Sequence, residues 1–348
     1  ASNPQATEAR MLLAEALVGL AEVGHRVAEL AAAIAAADEA LRVLDNEPAG
    51  RELQGRVICA RGDLFEIQGK FSAAIADFAA AADLLEAADE AAAQIAHARG
   101  RQAMVLVKAG DLDGAAAIAE GALSRWGGSS EPALLRAYGR LEQVLGHVDS
   151  RRGAFEGAAE HYQAAIDWVE RAGDLLGVAM ATVSMGNLAY RAGDVARAEL
   201  LYRDAVRQFG ALDLIAGQGM AQGNLGTLLV EAGRYVEALK ELQASETNLR
   251  RAGSAEMLPE VLRLIAVCNL ALGQVARATV FASEAVERAH NLDNPATLKA
   301  ARLTRREVHR ASQAVAPVSV SEGDPPEPQT PAGSPTPPPG GAGDPEQG

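Results

Sequence analysis

Apolar residues recur along most of the chain at three- and four-residue intervals, the spacing of one face of an α-helix, and the helical stretches are separated by glycine. The breaks at Gly69, Gly110, Gly153, Gly193, Gly233 and Gly273 fall 41, 43, 40, 40 and 40 residues apart. A fixed period of this size predicts a solenoid of helix pairs. First helices are expected over 56–68, 96–109, 133–152, 179–192, 219–232 and 258–272, and second helices over 71–90, 112–126, 155–172, 195–209, 235–252 and 275–291. Five places after each turn glycine stands an alanine: Ala74, Ala115, Ala158, Ala198, Ala238 and Ala278. Seven places before it the residue is always small, at Gly62, Ala103, Gly146, Gly186, Gly226 and Ala266. Helix axes come within about 8–10 Å only where small side chains face each other, so these columns predict the contact lines inside each pair. Nine places after the turn come Phe78, Ala119, Tyr162, Tyr202, Leu242 and Ala282, which are expected to fill the layers beside those lines.

With this register in place, LGTLLVEAGRYVEALKEL (225–242), MGNLAYRAGDVARAELLYRDAV (185–206) and LGHVDSRRGAFEGAAEHYQAAI (145–166) resemble tetratricopeptide repeats. The resemblance covers roughly residues 55–291. It departs from the family pattern in lacking the Trp and Pro and in its long period, and is similar to the long-helix variety of kinesin light chains and bacterial signalling proteins. The resemblance implies an all-α, right-handed α-solenoid of helix-turn-helix repeats that binds a protein or peptide without catalysis.

The expected domains are a degenerate helical repeat over 1–50, six repeats over 51–294, a capping helix over 295–315 and a disordered tail over 316–348. Arg26 and Glu29 stand where the repeat pattern calls for an apolar residue and alanine, which is why the first unit reads as degenerate. WGGSSEPALL (126–135) predicts Ser130 as an N-cap with Pro132 in the first turn, and HNLDNPATLK (290–299) predicts the same roles for Asn294 and Pro295. The last helix carries Lys299, Arg302, Arg305, Arg306 and Arg310, a polar surface suited to closing the end of a stack. Beyond it, PVSVSEGDPPEPQTPAGSPTPPPGGAGDPEQG is too rich in proline and too poor in apolar surface to offset the entropy of ordering.

Composition narrows the function. Alanine occupies about a fifth of the positions and aromatics 4%, as expected of closely packed helices. The net charge of −14 opposes a whole-molecule attraction to nucleic acid or anionic lipid, so neither is an expected partner. Cys59 and Cys268 form no redox or metal-ligand spacing and read as reduced thiols of a cytoplasmic protein. The six histidines show no metal motif, and neither a cofactor nor a catalytic constellation is expected. GQGMAQG (217–223) has no strand before it and reads as an inter-repeat loop running into a helix, not a phosphate loop. The missing initiator Met and the irregular start also fit a second arrangement, in which the chain is the C-terminal regulatory part of a larger bacterial enzyme or regulator.

Charge then points to a surface. The first helices carry 11 basic and 6 acidic residues and the second helices 10 and 18, so the inner face is expected to be basic relative to the outer one. Arg99, Arg101 and Lys108 of the second repeat and Arg136, Arg140 and Arg151 of the third supply most of the excess. They predict a groove for an acidic or extended peptide; the alternative is that they only balance neighbouring acidic helices. Asn187 and Asn224 occupy the places at which related repeats that clamp a peptide carboxylate hydrogen-bond the ligand backbone, and the resemblance implies that role here. The clamp's expected Lys, Lys and Arg are replaced by Val183, Glu260 and Leu264. Tyr190, Arg191, Thr227 and Arg263 are the neighbours from which further contacts are expected, and solvated helix surface is the alternative for both asparagines.

Overall fold

A computed structural model of the chain describes residues 27–44, 51–87, 92–125, 130–292 and 294–315. Among them there are fourteen helices and no strand: α1 Val27–Leu44, α2 Arg51–Ile67, α3 Phe71–Ala87, α4 Ala92–Ala109, α5 Leu112–Arg125, α6 Pro132–Arg152, α7 Phe155–Arg171, α8 Leu175–Arg191, α9 Val195–Ala211, α10 Ile215–Glu231, α11 Tyr235–Arg251, α12 Leu258–Ala271, α13 Val275–His290 and α14 Pro295–Val315. From α2 to α13 they form six antiparallel pairs, each packed on the next to give an α-solenoid. From α4 to α12 the first helices of consecutive pairs pack on one another, most extensively α4 on α6, whereas the second helices are joined through long side chains, as Arg250 of α11 is to Glu284 of α13 at 2.8 Å. The stack therefore curves with α2, α4, α6, α8, α10 and α12 on its inner face. The expected N-terminal unit before Val27 and the tail after Val315 lie outside the described residues.

All six turn glycines have positive φ, from 71° to 94°, a backbone region that costs glycine nothing and other residues strain. The return turns repeat the device at Gly173 and Gly253, and at the equivalent position Asp213 takes φ 55°. Aspartate is among the few non-glycine residues enriched there.

Inside the pairs, the two columns read from the sequence meet and compensate. A Cβ added to Gly62 would meet Phe78 at 3.0 Å, to Gly146 Tyr162 at 2.6 Å, to Gly186 Tyr202 at 2.7 Å and to Gly226 Leu242 at 2.5 Å. Where the first helix carries alanine instead, the partner is alanine: Ala103 with Ala119 and Ala266 with Ala282, all four fully buried. Glycine faces a large side chain and alanine faces alanine, which holds the volume between the axes nearly constant.

Two expectations are corrected. The N-cap residue of α6 is Glu131, not Ser130, and its side chain makes no capping hydrogen bond; Pro132 begins the helix with its φ already helical, one residue closer than the serine reading placed the boundary. GQGMAQG is not a loop but lies wholly within α10. Its glycines admit neighbours, since a Cβ on Gly217 would meet Phe209 at 2.4 Å and one on Gly219 would meet Leu249 at 3.1 Å. The Asn294 side chain does cap α14, accepting from Thr297 N at 3.1 Å. That helix buries Ala301, Thr304 and Val308, one face at helical spacing, and exposes its five basic residues.

Candidate functional site

Two adjoining hollows open on the inner face of the first three repeats. One, of about 360 Å³, lies between α2, α4 and α6 and is bounded by Cys59, Asp63, Gln94, His97, Arg136 and Arg140, with alanines of α4 and α6 in its walls. The other, of about 770 Å³, shares Asp63, His97 and Arg140 and adds Glu66, Arg101, Lys108 and Arg151. Glu256, on the turn leading into α12, reaches this second hollow from the far end of the array.

The structure gathers Arg101, Lys108, Arg140 and Arg151 around one hollow, but they are not equivalent. Arg101 donates to Asp63 at 2.9 Å and to Glu66 at 2.7 Å, and Lys108 donates to Glu66 at 2.6 Å. These carboxylates belong to the preceding repeat, so a charge count within one repeat misses them. Arg99 faces away, paired with Asp83 and Glu86 of α3. For Arg99, Arg101 and Lys108 these contacts are those of the alternative, in which the basic residues balance neighbouring acidic helices. Matters differ on α6. Arg140 donates to His97 Nδ1 at 2.9 Å and Arg151 to the Val107 carbonyl at 2.7 Å, and among the described residues neither of these two nor Arg136 is paired with a carboxylate.

Burial, then the nearby Arg140 and Arg101, hold the His97 imidazole down at about 4, so at neutral pH it is uncharged. With Nδ1 accepting from Arg140, its proton sits on Nε2. The Arg140 guanidinium is itself lowered, first by burial and then by Arg101. Burial pushes the Cys59 thiol up to about 12, leaving it protonated and uncharged.

The second half of the inner face is neutral. Asn187 and Asn224 meet, Asn224 Nδ2 donating to Asn187 Oδ1 at 3.3 Å, and the same oxygen accepts from Tyr202 O–H at 2.8 Å. The Tyr202 ring reaches it by passing over Gly186, and Tyr162 passes over Gly146 to donate to His147 Nδ1 at 2.7 Å. His147 is held near 4, by burial first and then by Arg151 and Lys108. Tyr190 donates to Glu231 at 2.5 Å, which with burial lifts its hydroxyl to about 12. Thr227 is turned back onto the Gly223 carbonyl at 3.0 Å and Arg191 onto Ser150 Oγ at 2.6 Å. Arg263 folds onto Glu260 of its own helix at 2.8 Å, and no described contact joins it to the asparagines. Met180, 41% exposed, lies on the same face one helix turn before Ser184.

Sequence reasoning missed His97, Asp63, Glu66 and Glu256. The signal for the first was available, because Arg56, His97 and Arg140 all stand 13 residues before their turn glycines, and Arg56 and His97 also border the smaller hollow.

No protein-family model matches the chain, and no curated protein does. Solved structures do, and they share the tetratricopeptide-repeat type of α-solenoid, which is the fold of this chain. BtubC from P. vanneervenii is 20% identical, with a TM-score of 0.52 over 65% of this chain and 92% of that one. The Rap conjugation gene regulator of plasmid pLS20, solved with the Phr* peptide, is 12% identical, with a TM-score of 0.55 over 90% of this chain and 98% of that one. A Signal Transduction ATPase with Numerous Domains from Pyrococcus horikoshii, which has a tetratricopeptide repeat sensor, is 12% identical, with a TM-score of 0.56 over 90% of this chain and 53% of that one.

Proposed function

We propose that the chain is a non-catalytic scaffold whose inner groove receives an acidic, extended segment of a protein partner. The observation that carries this reading is the state of α6, where Arg136, Arg140 and Arg151 border the hollows with no carboxylate partner among the described residues. A charge-assisted hydrogen bond contributes about 1.5–3 kcal/mol, so three such contacts approach the roughly 8 kcal/mol of a micromolar complex. The asparagines alone, at about 0.5–1.5 kcal/mol each, would not. They complement the arginines instead. The Asn187 carbonyl is occupied, while its amide hydrogens remain to donate to a ligand's backbone carbonyl. The peptide-bound Rap structure supports the same use of the fold.

The test is capture of partners on the full chain, identified by mass spectrometry, beside the charge-reversed pair Arg140→Glu and Arg151→Glu. A partner retained at least tenfold less by the reversed chain supports the groove; undiminished retention of every partner overturns it. A second arrangement, in which the array is the sensory part of a larger signalling protein, is supported by the Pyrococcus structure, of which this chain spans about half. The groove would then take its ligand in the same way.

A further inference from the structure

The smaller hollow has features that a groove for ordinary acidic side chains does not require. Arg136 and Arg140 stand four residues apart on α6, a like-charge spacing that weakens a helix, and among the described residues no carboxylate pairs with either. Arg140 is also oriented: its Nη1 is held by His97 Nδ1 at 2.9 Å, which leaves the Nε and Nη2 edge of the guanidinium for a ligand. The His97 tautomer fixed by that bond has its N–H on Nε2, and the ring borders the hollow. The acid on the wall, Asp63, is engaged by Arg101 from outside the hollow. The remaining wall is made of Leu85, small apolar residues, the uncharged Cys59 thiol, Gln94 and a further cation, Arg56, which leave about 360 Å³.

We propose that this hollow is a phosphate-monoester site, and that it seats a phosphorylated serine or threonine side chain of the bound segment. The inference rests on the groove reading above and makes its anchor specific. Two unmatched guanidinium groups complement a dianion with three acceptor oxygens, whereas a carboxylate brings one charge and two oxygens and leaves one arginine unmatched. Arg136 and Arg140 are the anion-binding residues, and His97 is a positioning residue that also offers a neutral donor.

The experiment uses the full chain and two fluorescein-labelled nonapeptides, identical in sequence except for a central phosphoserine or a central glutamate, with inorganic phosphate as competitor. The phosphoserine peptide is expected to bind at least tenfold tighter, and Arg136→Gln and Arg140→Gln each to remove most of that preference while the melting temperature stays within a few degrees. His97→Asn is expected to lower the preference only partly. Equal affinity for the two peptides, or a preference untouched by both arginine substitutions, overturns the assignment. Inorganic phosphate bound as tightly as the phosphopeptide overturns the peptide-borne form and leaves a free-anion site. If both peptides bind equally and both are lost on Arg140→Glu with Arg151→Glu, the phosphate assignment falls and the groove stands. If neither binds, the phosphate assignment falls, and the groove is decided by partner capture.

Discussion

The inner face of the solenoid has two halves built on the same helix pairs to different ends. Around α2, α4 and α6 it is charged and hollow, and some cations are paired across repeats while others are left without a carboxylate. Around α8, α10 and α12 it is neutral, and its polar groups are largely spent on each other. The comparison separates two uses of arginine that look alike in sequence. Arg101 holds two repeats together through Asp63 and Glu66, while Arg140, 39 residues later on the same face, is left able to hold a ligand.

The largest expected effect falls on the neutral half. A Cβ at Gly226 already lies 2.5 Å from Leu242, so Gly226→Leu should cost about 3 kcal/mol, the upper end of the overpacking range. At Gly100, in the hollow half, the nearest atom would be 3.7 Å away, so Gly100→Ala should be neutral or slightly stabilising. Denaturant melts of both variants test the contrast, and equal destabilisation would mean that the column containing Gly226 is no more closely packed than Gly100, against the register of the pairs.

Next comes the division among the cations. Arg101→Ala leaves Asp63 without its partner and Glu66, whose side chain is only 8% exposed, with Lys108 alone. It should cost about 1–3 kcal/mol. Arg140→Ala removes no ion pair, and the loss of its bond to His97 is partly offset by removal of a desolvated charge, so it should cost less, about 1 kcal/mol or under. If urea melts rank the two in the opposite order, Arg140 is the structural residue and the free cation lies elsewhere.

The last test is the response to acid. His97 and His147 are held near 4 in the folded chain against an ordinary value of 6.5, so unfolding takes up protons between these values. Their contribution is whole above about pH 6.5 and is lost as the pH falls toward 4. Melting temperatures measured from pH 7.5 to 4.5 should decline, and His147→Gln, which keeps an acceptor for Tyr162, should flatten the decline. An unchanged slope would mean that His147 is not kept neutral by burial in the folded chain.

How much of this the sequence reveals depends on the distance over which each feature is encoded. The turn glycines and the small columns are local, recur in every repeat and were legible; the bond between Asn187 and Asn224 was not, because the resemblance named a ligand for each and said nothing of their meeting. The partners of Arg101 and Lys108 lie 35 to 42 residues earlier, across an interface whose register only the packed structure supplies. Local rules also misread two segments. Clustered glycines signal a loop, yet Gly217 and Gly219 are spent on the close approach of Phe209 and Leu249; Ser130 is a favoured cap residue, yet Glu131 and Pro132 determine where α6 begins.

The compensation between the two helices of each pair sets what can be exchanged within this array. Glycine opposite Tyr202 and alanine opposite Ala119 are matched sets, so a helix pair moved as a unit keeps its internal packing, whereas a single helix does not. A first helix from the second repeat set against the second helix of the fourth would press Ala103 into Tyr202, and the reverse graft would leave Gly186 facing only Ala119 across an empty gap. The unit of modularity, for recombination or for engineering a longer groove, is therefore the helix pair, with the turn glycine inside it and the cut made in the return turn.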